Sequence, residues 1–281
     1  MKYKNTKEWL LSKNKAVTFF GMSGVGKSYL SSFISKKSDW FHYSVDYRIG
    51  ADYLSKKITE ISNTEKFLKP KRKDDTKETS NLTIHNISLL SKYLGKPGNS
   101  IKGGIPFYEY KKRQKNHKEA EIKATFDAKN LFEKVLDLGK HKNFICDTSG
   151  SLCEIVNADN PNDKILKNLS NFSLLVWIKG SDKMTEKLVE RFCNSPKPMY
   201  YNEDFLNRKW KEYLSINDVK EENVDPNDFI IFGFKSLIKH RLPIYKKISE
   251  KWGIKVDSED IKNIKDESDF VDLISSKLEQ K

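Results

Sequence analysis

The fold of this chain is decided by the stretch Ala16-Val17-Thr18-Phe19-Phe20-Gly21-Met22-Ser23-Gly24-Val25-Gly26-Lys27-Ser28. Its first five residues are apolar or β-branched and predict a buried strand. Downstream, the apolar residues Leu30, Phe33 and Ile34 recur at the spacing of one helix face. A strand, a glycine-rich turn and a helix are therefore expected in this order.

The turn has the form Gly21-x-x-x-x-Gly26-Lys27-Ser28, which is the Walker A pattern. Its glycines let backbone N–H groups converge on phosphate oxygens, and the helix N-terminus adds a positive dipole end. Lys27 can reach the β- and γ-phosphates of a nucleotide, and the Ser28 hydroxyl can ligate Mg²⁺. We therefore predict that a nucleotide is bound by the loop residues Gly21, Ser23, Gly24, Val25, Gly26, Lys27, Ser28 and Tyr29.

Four further strands follow along the chain. The sequence predicts them at Trp40–Val45, Phe144–Asp147, Leu174–Ile178 and Ile254–Val256, with helices between them at about Ala51–Ile61 and Tyr108–Leu138, after Ser181 and at the C-terminus. The continuous apolar run of the fourth strand is typical of the centre of a parallel sheet. Alternating strands and helices predict an α/β fold, with a parallel five-stranded sheet and helices on both faces.

Asp147 ends the third strand, where a Walker B carboxylate is expected, and it would hold Mg²⁺ together with Ser28. A helix cap or turn is the alternative role for this residue. Asp147-Thr148-Ser149-Gly150 also has the Asp-x-x-Gly form of GTPase switch regions. The Asn-Lys-x-Asp motif that reads guanine occurs nowhere in the chain, which disfavours a GTPase.

The chain has 281 residues with 52 Lys and Arg against 39 Asp and Glu, a net charge of +13. Residues 63–140 carry 18 basic and 10 acidic residues, which gives +8, with basic runs at Lys66–Lys77 and Lys111–Lys118. We predict a core formed by residues 1–62 and 141–281, interrupted by a basic, mostly helical insertion at 63–140. This charge indicates either a solvated lysine surface or an affinity for a polyanion such as nucleic acid.

No stretch approaches the roughly 20 apolar residues that a membrane span needs, and the N-terminus lacks the apolar run of a secretory signal. The cysteines Cys146, Cys153 and Cys193 form no metal-spaced pair, and the five histidines are scattered. We therefore expect a cytoplasmic protein without membrane association, in which Cys146 and Cys153 are buried thiols.

Arginine is scarce, with 6 residues against 46 lysines, so an arginine is more informative here than a lysine. Arg48 and Arg191 are the strongest candidates for binding phosphate or carboxylate, and Arg113 is a third candidate from within the insertion. Surface ion pairs are the alternative role of Arg48 and Arg191 and the expected role of Arg72, Arg113, Arg208 and Arg241. Aromatic residues at helical spacing between Phe205 and Leu214 are expected to form core.

The loop Gly21–Ser28 and the strand ending at Asp147 resemble the P-loop NTPase superfamily. Within it, the layout is similar to small-molecule kinases of the shikimate and gluconate kinase type. That resemblance rests on three features. Asp46 follows the second strand, Ser181 and Arg191 lie at the two ends of the helix after the fourth strand, and a Pro-containing lid is expected at Ser195–Tyr201. The shikimate kinase glycine triplet is absent after the third strand, which argues against shikimate as substrate. Several blocks also resemble uncharacterised bacterial proteins labelled ATPases.

The resemblance implies an enzyme that uses ATP and Mg²⁺ to phosphorylate a hydroxyl of a small molecule. Lys27, Asp46, Asp147 and Arg191 would then be catalytic, and Asp46, Arg48 and Arg113 would bind the acceptor. One alternative is an ATPase or nucleotide switch that acts on nucleic acid or a protein partner through residues 63–140. Another is a nucleotide-binding regulatory module without turnover.

Overall fold

A single sheet of five parallel strands organises the chain, and the computed structural model describes residues 1–61 and 88–281. The strands are β1 (Ala16–Phe20), β2 (Trp40–Ser44), β3 (Asn143–Asp147), β4 (Leu174–Lys179) and β5 (Gly253–Asp257). Their spatial order is β2-β3-β1-β4-β5, and every neighbouring pair is parallel. The predicted parallel five-stranded sheet is confirmed, and each strand ends within one residue of its predicted bounds.

Helices make up most of the remaining described chain. They span Thr6–Leu11, Lys27–Lys37, Val45–Arg48, Ser55–Ile61, 88–94, Phe107–Asp137, Leu152–Ile155, Lys164–Phe172, Asp182–Asn194, Glu203–Asn217, Pro226–Trp252, Ser258–Ile261 and Glu267–Glu279, with a π-helical turn at Ile49–Tyr53 and 3₁₀ turns at Ser100–Lys102 and Glu221–Asn223. The helix expected over Ala51–Ile61 is interrupted at Leu54, whose N–H donates to the carbonyl of Ile49 and closes the wider π turn.

Both faces of the sheet are covered by helices, as predicted. Consecutive strand residues point to opposite faces. On β1, the ring of Phe19 lies 6.0 Å from that of Phe270 in the C-terminal helix Glu267–Glu279. The adjacent Phe20 lies 6.3 Å from Tyr245 in the helix Pro226–Trp252, on the other face. The main hydrophobic core therefore consists of two layers with the sheet between them.

A second, smaller core lies beside the main one. It contains Tyr110, Tyr201, Phe205, Trp210 and Phe229, and Phe107 stacks on Trp210 at 4.3 Å between ring centroids. The aromatic residues at helical spacing in the helix Glu203–Asn217 are thus core, as predicted. This cluster fixes the segment before that helix, including Tyr201, against the start of the long helix Phe107–Asp137.

The predicted insertion is described in part. Its first basic run, Lys66–Lys77, lies outside the described residues, and its second run belongs to the long helix. That helix packs Ala120, Ala124 and Ala128 into the main core. The division of the chain into a core and an insertion stays a prediction.

The buried thiols and the membrane prediction can also be compared with the structure. Cys146 and Cys153 are free and buried, as expected. Within residues 1–61 and 88–281, none of the helices combines the length and the apolar character that a membrane span requires.

Candidate functional site

The glycine loop joins the central strand β1 to the helix Lys27–Lys37. Gly21, Gly24 and Gly26 have φ values of 134°, 87° and 102°, in the region that favours glycine. A Cβ on Gly21 would also lie 2.6 Å from the carbonyl oxygen of Ile178 on β4. The loop needs glycine at these positions, and it presents the start of a helix at the carboxyl edge of the sheet, where an anion is favoured.

Lys27 is folded into this loop and is only 6% exposed. Its Nζ donates to the carbonyl oxygens of Gly21 and Met22, each at 3.0 Å. Burial lowers the pKa of Lys27, and the nearby carboxylates of Asp147 and Asp46 oppose that shift. The loop, its ammonium group and two carboxylates are therefore neighbours.

The two carboxylates come from the ends of adjacent strands. Asp147 pairs in register with Phe19 of β1 and with Ser44 of β2, and it is 3% exposed. Asp46 is half-buried in the short helix that follows β2. Burial, with a further contribution from Asp147, raises the pKa of Asp46 to about 6, although Lys27 acts to lower it. Asp46 is thus ionised at neutral pH but close to its titration range.

Asp147 and Ser28 both offer oxygen donors, which a hard cation such as Mg²⁺ prefers. Its buried Oδ1 has no hydrogen-bond partner among the described residues, and the Ser28 side chain is exposed at the start of the loop helix. Within the described residues, no group of three or more His, Cys, Asp or Glu side chains could hold a metal without other ligands. Two oxygen donors fit a Mg²⁺ ion whose remaining ligands are phosphate oxygens and water.

A pocket of about 110 Å³ opens beside the loop. It is lined by Ser23 of the loop, Asp46 after β2, Ser149, Gly150 and Ser151 after β3, Leu90, Ser91 and Leu94, His117 of the long helix, Pro198, Met199 and Tyr200 of the predicted lid, and Arg241. Gly150 lies against the loop, since a Cβ at this position would come within 2.4 Å of Ser23 Oγ. The pocket and the loop therefore share a wall.

Arg241 connects three segments around this pocket and is 1% exposed. Its Nε donates to Glu154 Oε1 at 2.7 Å, Nη1 to the carbonyl of Gly150 at 2.9 Å, and Nη2 to the carbonyl of Tyr200 at 2.8 Å. Burial opposes the charge of Arg241, but the Glu154 carboxylate together with Tyr245 and Cys153 outweighs burial and raises the pKa of the guanidinium. Likewise, burial acts to raise the pKa of Glu154, but Arg241 and His240 together outweigh it, so the pKa of Glu154 is lowered.

A second buried carboxyl, Glu121, lies behind the pocket wall and is 0% exposed. The hydroxyls of Ser149 and Ser151 donate to it, and His117 Nδ1 lies 3.7 Å from its Oε2. Burial raises the pKa of Glu121 to about 7, although the two serine hydrogen bonds act to lower it. Burial also lowers the pKa of His117 to about 3, so this imidazole is neutral and stacks on Tyr200.

The three arginines predicted to bind phosphate or carboxylate lie in different parts of the structure. Arg191 lies beside the loop, because its Nη2 is 3.3 Å from where a Cβ on Gly24 would be. Arg48 pairs with Asp52 at 2.8 Å and lines a separate cavity with Tyr43, Asp127 and Lys134. Arg113 pairs with Glu109 and donates to the carbonyl of Tyr93. Of these three, only Arg191 is brought together with the glycine loop, and none lines the pocket.

Several polar residues of the site were not predicted from the sequence: His117, Glu121, Ser149, Ser151, Glu154 and Arg241. A signal existed for two of them. His117 and Glu121 continue the helical spacing of the buried residues Tyr110, Gln114, Ala124, Ala128, Phe132 and Val135. Arg241 is one of six arginines, and the surface ion pair expected for it is wrong, since its side chain is buried.

Comparisons with known proteins add little to this geometry. No protein-family profile matches the sequence, and no curated protein matches it either. Among solved structures, the chain is similar to the shikimate kinase from Bacteroides thetaiotaomicron, with 11% sequence identity and a TM-score of 0.38 over 95% of each chain. Similarity at this level carries no conclusion about either fold or activity.

Proposed function

We propose that this chain is a Mg²⁺-dependent phosphotransferase that moves the γ-phosphoryl group of ATP to a hydroxyl of a small molecule. The observation that carries the proposal is the wall shared by the glycine loop and the pocket, where Gly150 packs on Ser23. The pocket beside that wall is lined by Asp46, Ser149 and Ser151, polar groups of the kind that orient a small-molecule ligand. Its position would place an acceptor next to the terminal phosphate of a nucleotide on the loop.

The nucleotide would be bound by the loop Gly21–Ser28. Its positive-φ glycines and the start of the helix Lys27–Lys37 supply backbone donors and a positive dipole end. Lys27 exchanges its two loop carbonyls for phosphate oxygens, which are stronger partners because they are charged. Arg191, which lies beside Gly24, would neutralise charge on the transferring group.

Mg²⁺ would be held by the Ser28 hydroxyl and by Asp147, directly or through water. When bound, the ion supplies charge neutralisation on the β- and γ-phosphates. The buried, unpartnered Oδ1 of Asp147 supports this assignment.

Asp46 would orient the acceptor hydroxyl and accept its proton. A pKa of about 6 leaves this carboxylate ionised at neutral pH, yet more basic than an ordinary aspartate. Gly150 and Arg241 act on the site indirectly, because they hold the loop after β3 against Ser23 and the lid segment at Tyr200.

The proposal is tested by incubating the protein with Mg²⁺, ATP and a panel of hydroxyl acceptors, with products followed by ³¹P NMR. We expect ADP and a phosphate ester in equal amounts. Lys27→Ala should abolish transfer, whereas Lys36→Ala, an exposed lysine at the other end of the same helix, should retain it. Release of inorganic phosphate without an ester would contradict the proposal and favour an ATPase, and ATP binding without any turnover would favour a regulatory module.

A further inference from the structure

The pocket beside the glycine loop offers mainly hydrogen-bond acceptors, which limits the chemistry of its ligand. Among residues 1–61 and 88–281, Arg241 supplies the one guanidinium group that lines this pocket. Three of its five N–H groups, one on each nitrogen, donate to the protein, and its charge is matched by Glu154 at 2.7 Å. The positive charge of Arg241 is therefore already balanced inside the protein and does not provide an unpaired cation for a carboxylate or phosphate.

The two serines of the wall also present lone pairs. A hydroxyl has one proton to donate and two lone pairs that accept. When Glu121 is ionised, Ser149 and Ser151 both donate that proton to its carboxylate, which is fully buried behind them, and the two serine oxygens lie 3.1 Å apart. Each hydroxyl is left with lone pairs for a ligand.

The remaining polar groups continue this pattern. An ionised carboxylate such as Asp46 only accepts hydrogen bonds. The Lys27 ammonium near Asp46 donates to loop carbonyls, and it is the group that a nucleotide would engage. His117 is neutral, and its buried Nδ1 has no hydrogen-bond partner among the described residues. Leu94 and Met199 add apolar wall.

We propose that the acceptor is an uncharged polyhydroxy compound of the sugar or polyol class, whose hydroxyl protons are accepted by Asp46, Ser149 and Ser151. This inference rests on the proposed function, since it names the acceptor of that same site. An aldonic acid or phosphate ester would lose its hydration and meet the Asp46 carboxylate without a matching cation.

The test measures binding directly, without turnover. Calorimetric titrations of the full-length protein with Mg²⁺ and ADP would compare glycerol with glycerate, ribose with ribonate and glucose with gluconate. In at least one pair we expect the uncharged member to bind at least about 10-fold more tightly than its acid. Tighter binding of the acids would overturn the inference. The inference would also be overturned if every uncharged member had a dissociation constant above about 10 mM, since that is weaker than typical substrate affinities.

Variants show whether Asp46 sets this preference. Asp46→Asn removes the repulsive charge, so it should narrow the gap between the uncharged compound and its acid by about 10-fold. Asp52→Asn makes the same chemical change at an exposed position outside the pocket, and it should leave the gap unchanged. Thermal unfolding checks that both variants fold, and an unchanged gap in folded Asp46→Asn would contradict the inference.

Failure of this inference and failure of the proposed function give different results. Transfer of phosphate from ATP to an anionic acceptor would overturn the acceptor class and leave the phosphotransferase intact. Binding of an uncharged polyol without any ester formation would overturn the phosphotransferase.

Discussion

The two halves of the candidate site are built in opposite ways. The nucleotide half is a continuous run, Gly21–Ser28, whose shape comes from three positive-φ glycines and the start of a helix. The acceptor half collects side chains from separate segments, including Asp46, His117, Ser149 and Arg241. Backbone geometry dominates the first half, whereas buried charges dominate the second.

This difference determines where each half is vulnerable. The loop depends on space and on φ angles, so added bulk should damage it. The pocket depends on matched, buried charges, so removal of one partner should damage it more. Four substitutions test this contrast, from the largest expected effect to the smallest.

Arg241→Ala should cause the largest effect. It leaves the Glu154 carboxylate, 6% exposed, without its partner at 2.7 Å, and it removes the Arg241 donors to the carbonyls of Tyr200 and Gly150, of which Gly150 keeps the Tyr245 hydroxyl. We expect the free energy of unfolding, measured in urea, to fall by about 3–5 kcal/mol. Arg208→Ala, an exposed arginine near the Phe205 ring, should cost less than about 1 kcal/mol. Equal losses would show that Arg241 is not a structural cation.

Glu121 should make stability depend on pH. Its pKa rises from 4.5 to about 7 on folding, so between these values the folded state binds more protons than the unfolded state. Stability contributed by this carboxyl is then present at low pH and is lost as pH rises through about 7, by about 3 kcal/mol. Asp46 and His117 also titrate nearby, so the useful quantity is the difference from Glu121→Gln.

Urea titrations of wild type and Glu121→Gln between pH 5 and pH 8 measure that difference. The wild type should lose stability relative to the variant as pH rises. The matched change Glu119→Gln, at an exposed position on the same helix, should show no such trend. If the difference in unfolding free energy between wild type and Glu121→Gln does not change with pH, Glu121 is already ionised at pH 5.

Gly150→Ala tests the wall shared by the two halves. The added Cβ would meet Ser23 Oγ at 2.4 Å and Ser23 N at 2.9 Å, so the loop must shift. We expect ATP affinity, measured by calorimetry, to fall about 10-fold, which is about 1.4 kcal/mol. Ser23→Gly in the same chain removes the Oγ contact and should restore part of the affinity. Full affinity in Gly150→Ala would mean that the wall does not constrain the loop.

Arg48→Ala should have the smallest effect. Arg48 pairs with Asp52 on a partly exposed surface and lies in a cavity separate from Asp46. Exposed pairs of this kind contribute about 0–1 kcal/mol. We expect the KM for the acceptor to change less than about two-fold. A large rise in KM would restore Arg48 as an acceptor ligand, which the sequence pattern had favoured.

The sheet and the nucleotide half were predictable because their signals are local. Ala16–Phe20 is a continuous run of apolar and β-branched residues, and the whole Walker A pattern lies within the eight residues Gly21–Ser28. Asp46 and Asp147 were found because each follows a strand, and parallel strands end at the same edge.

The acceptor half was not predictable from local patterns, since its residues acquire their roles from tertiary contacts. Glu121 lies between Glu119 and Lys123 in a charged helix, where an acidic residue is normally solvated. Arg241 looks like a surface residue after His240, but its helix turns it toward Glu154, 87 positions away. Conversely, Arg48 lies close to Asp46 in sequence, yet its side chain lines a different cavity.

The central claim is that ATP on the glycine loop faces an acceptor pocket headed by Asp46. A crystal structure with Mg²⁺ and a non-hydrolysable ATP analogue tests it most directly, through the distance from the γ-phosphorus to the Asp46 carboxylate. We predict Lys27 Nζ on the terminal phosphates and a separation of about 5–6 Å, which leaves room for one hydroxyl between them. A γ-phosphate that points away from the pocket, or a nucleotide bound elsewhere, would contradict the account.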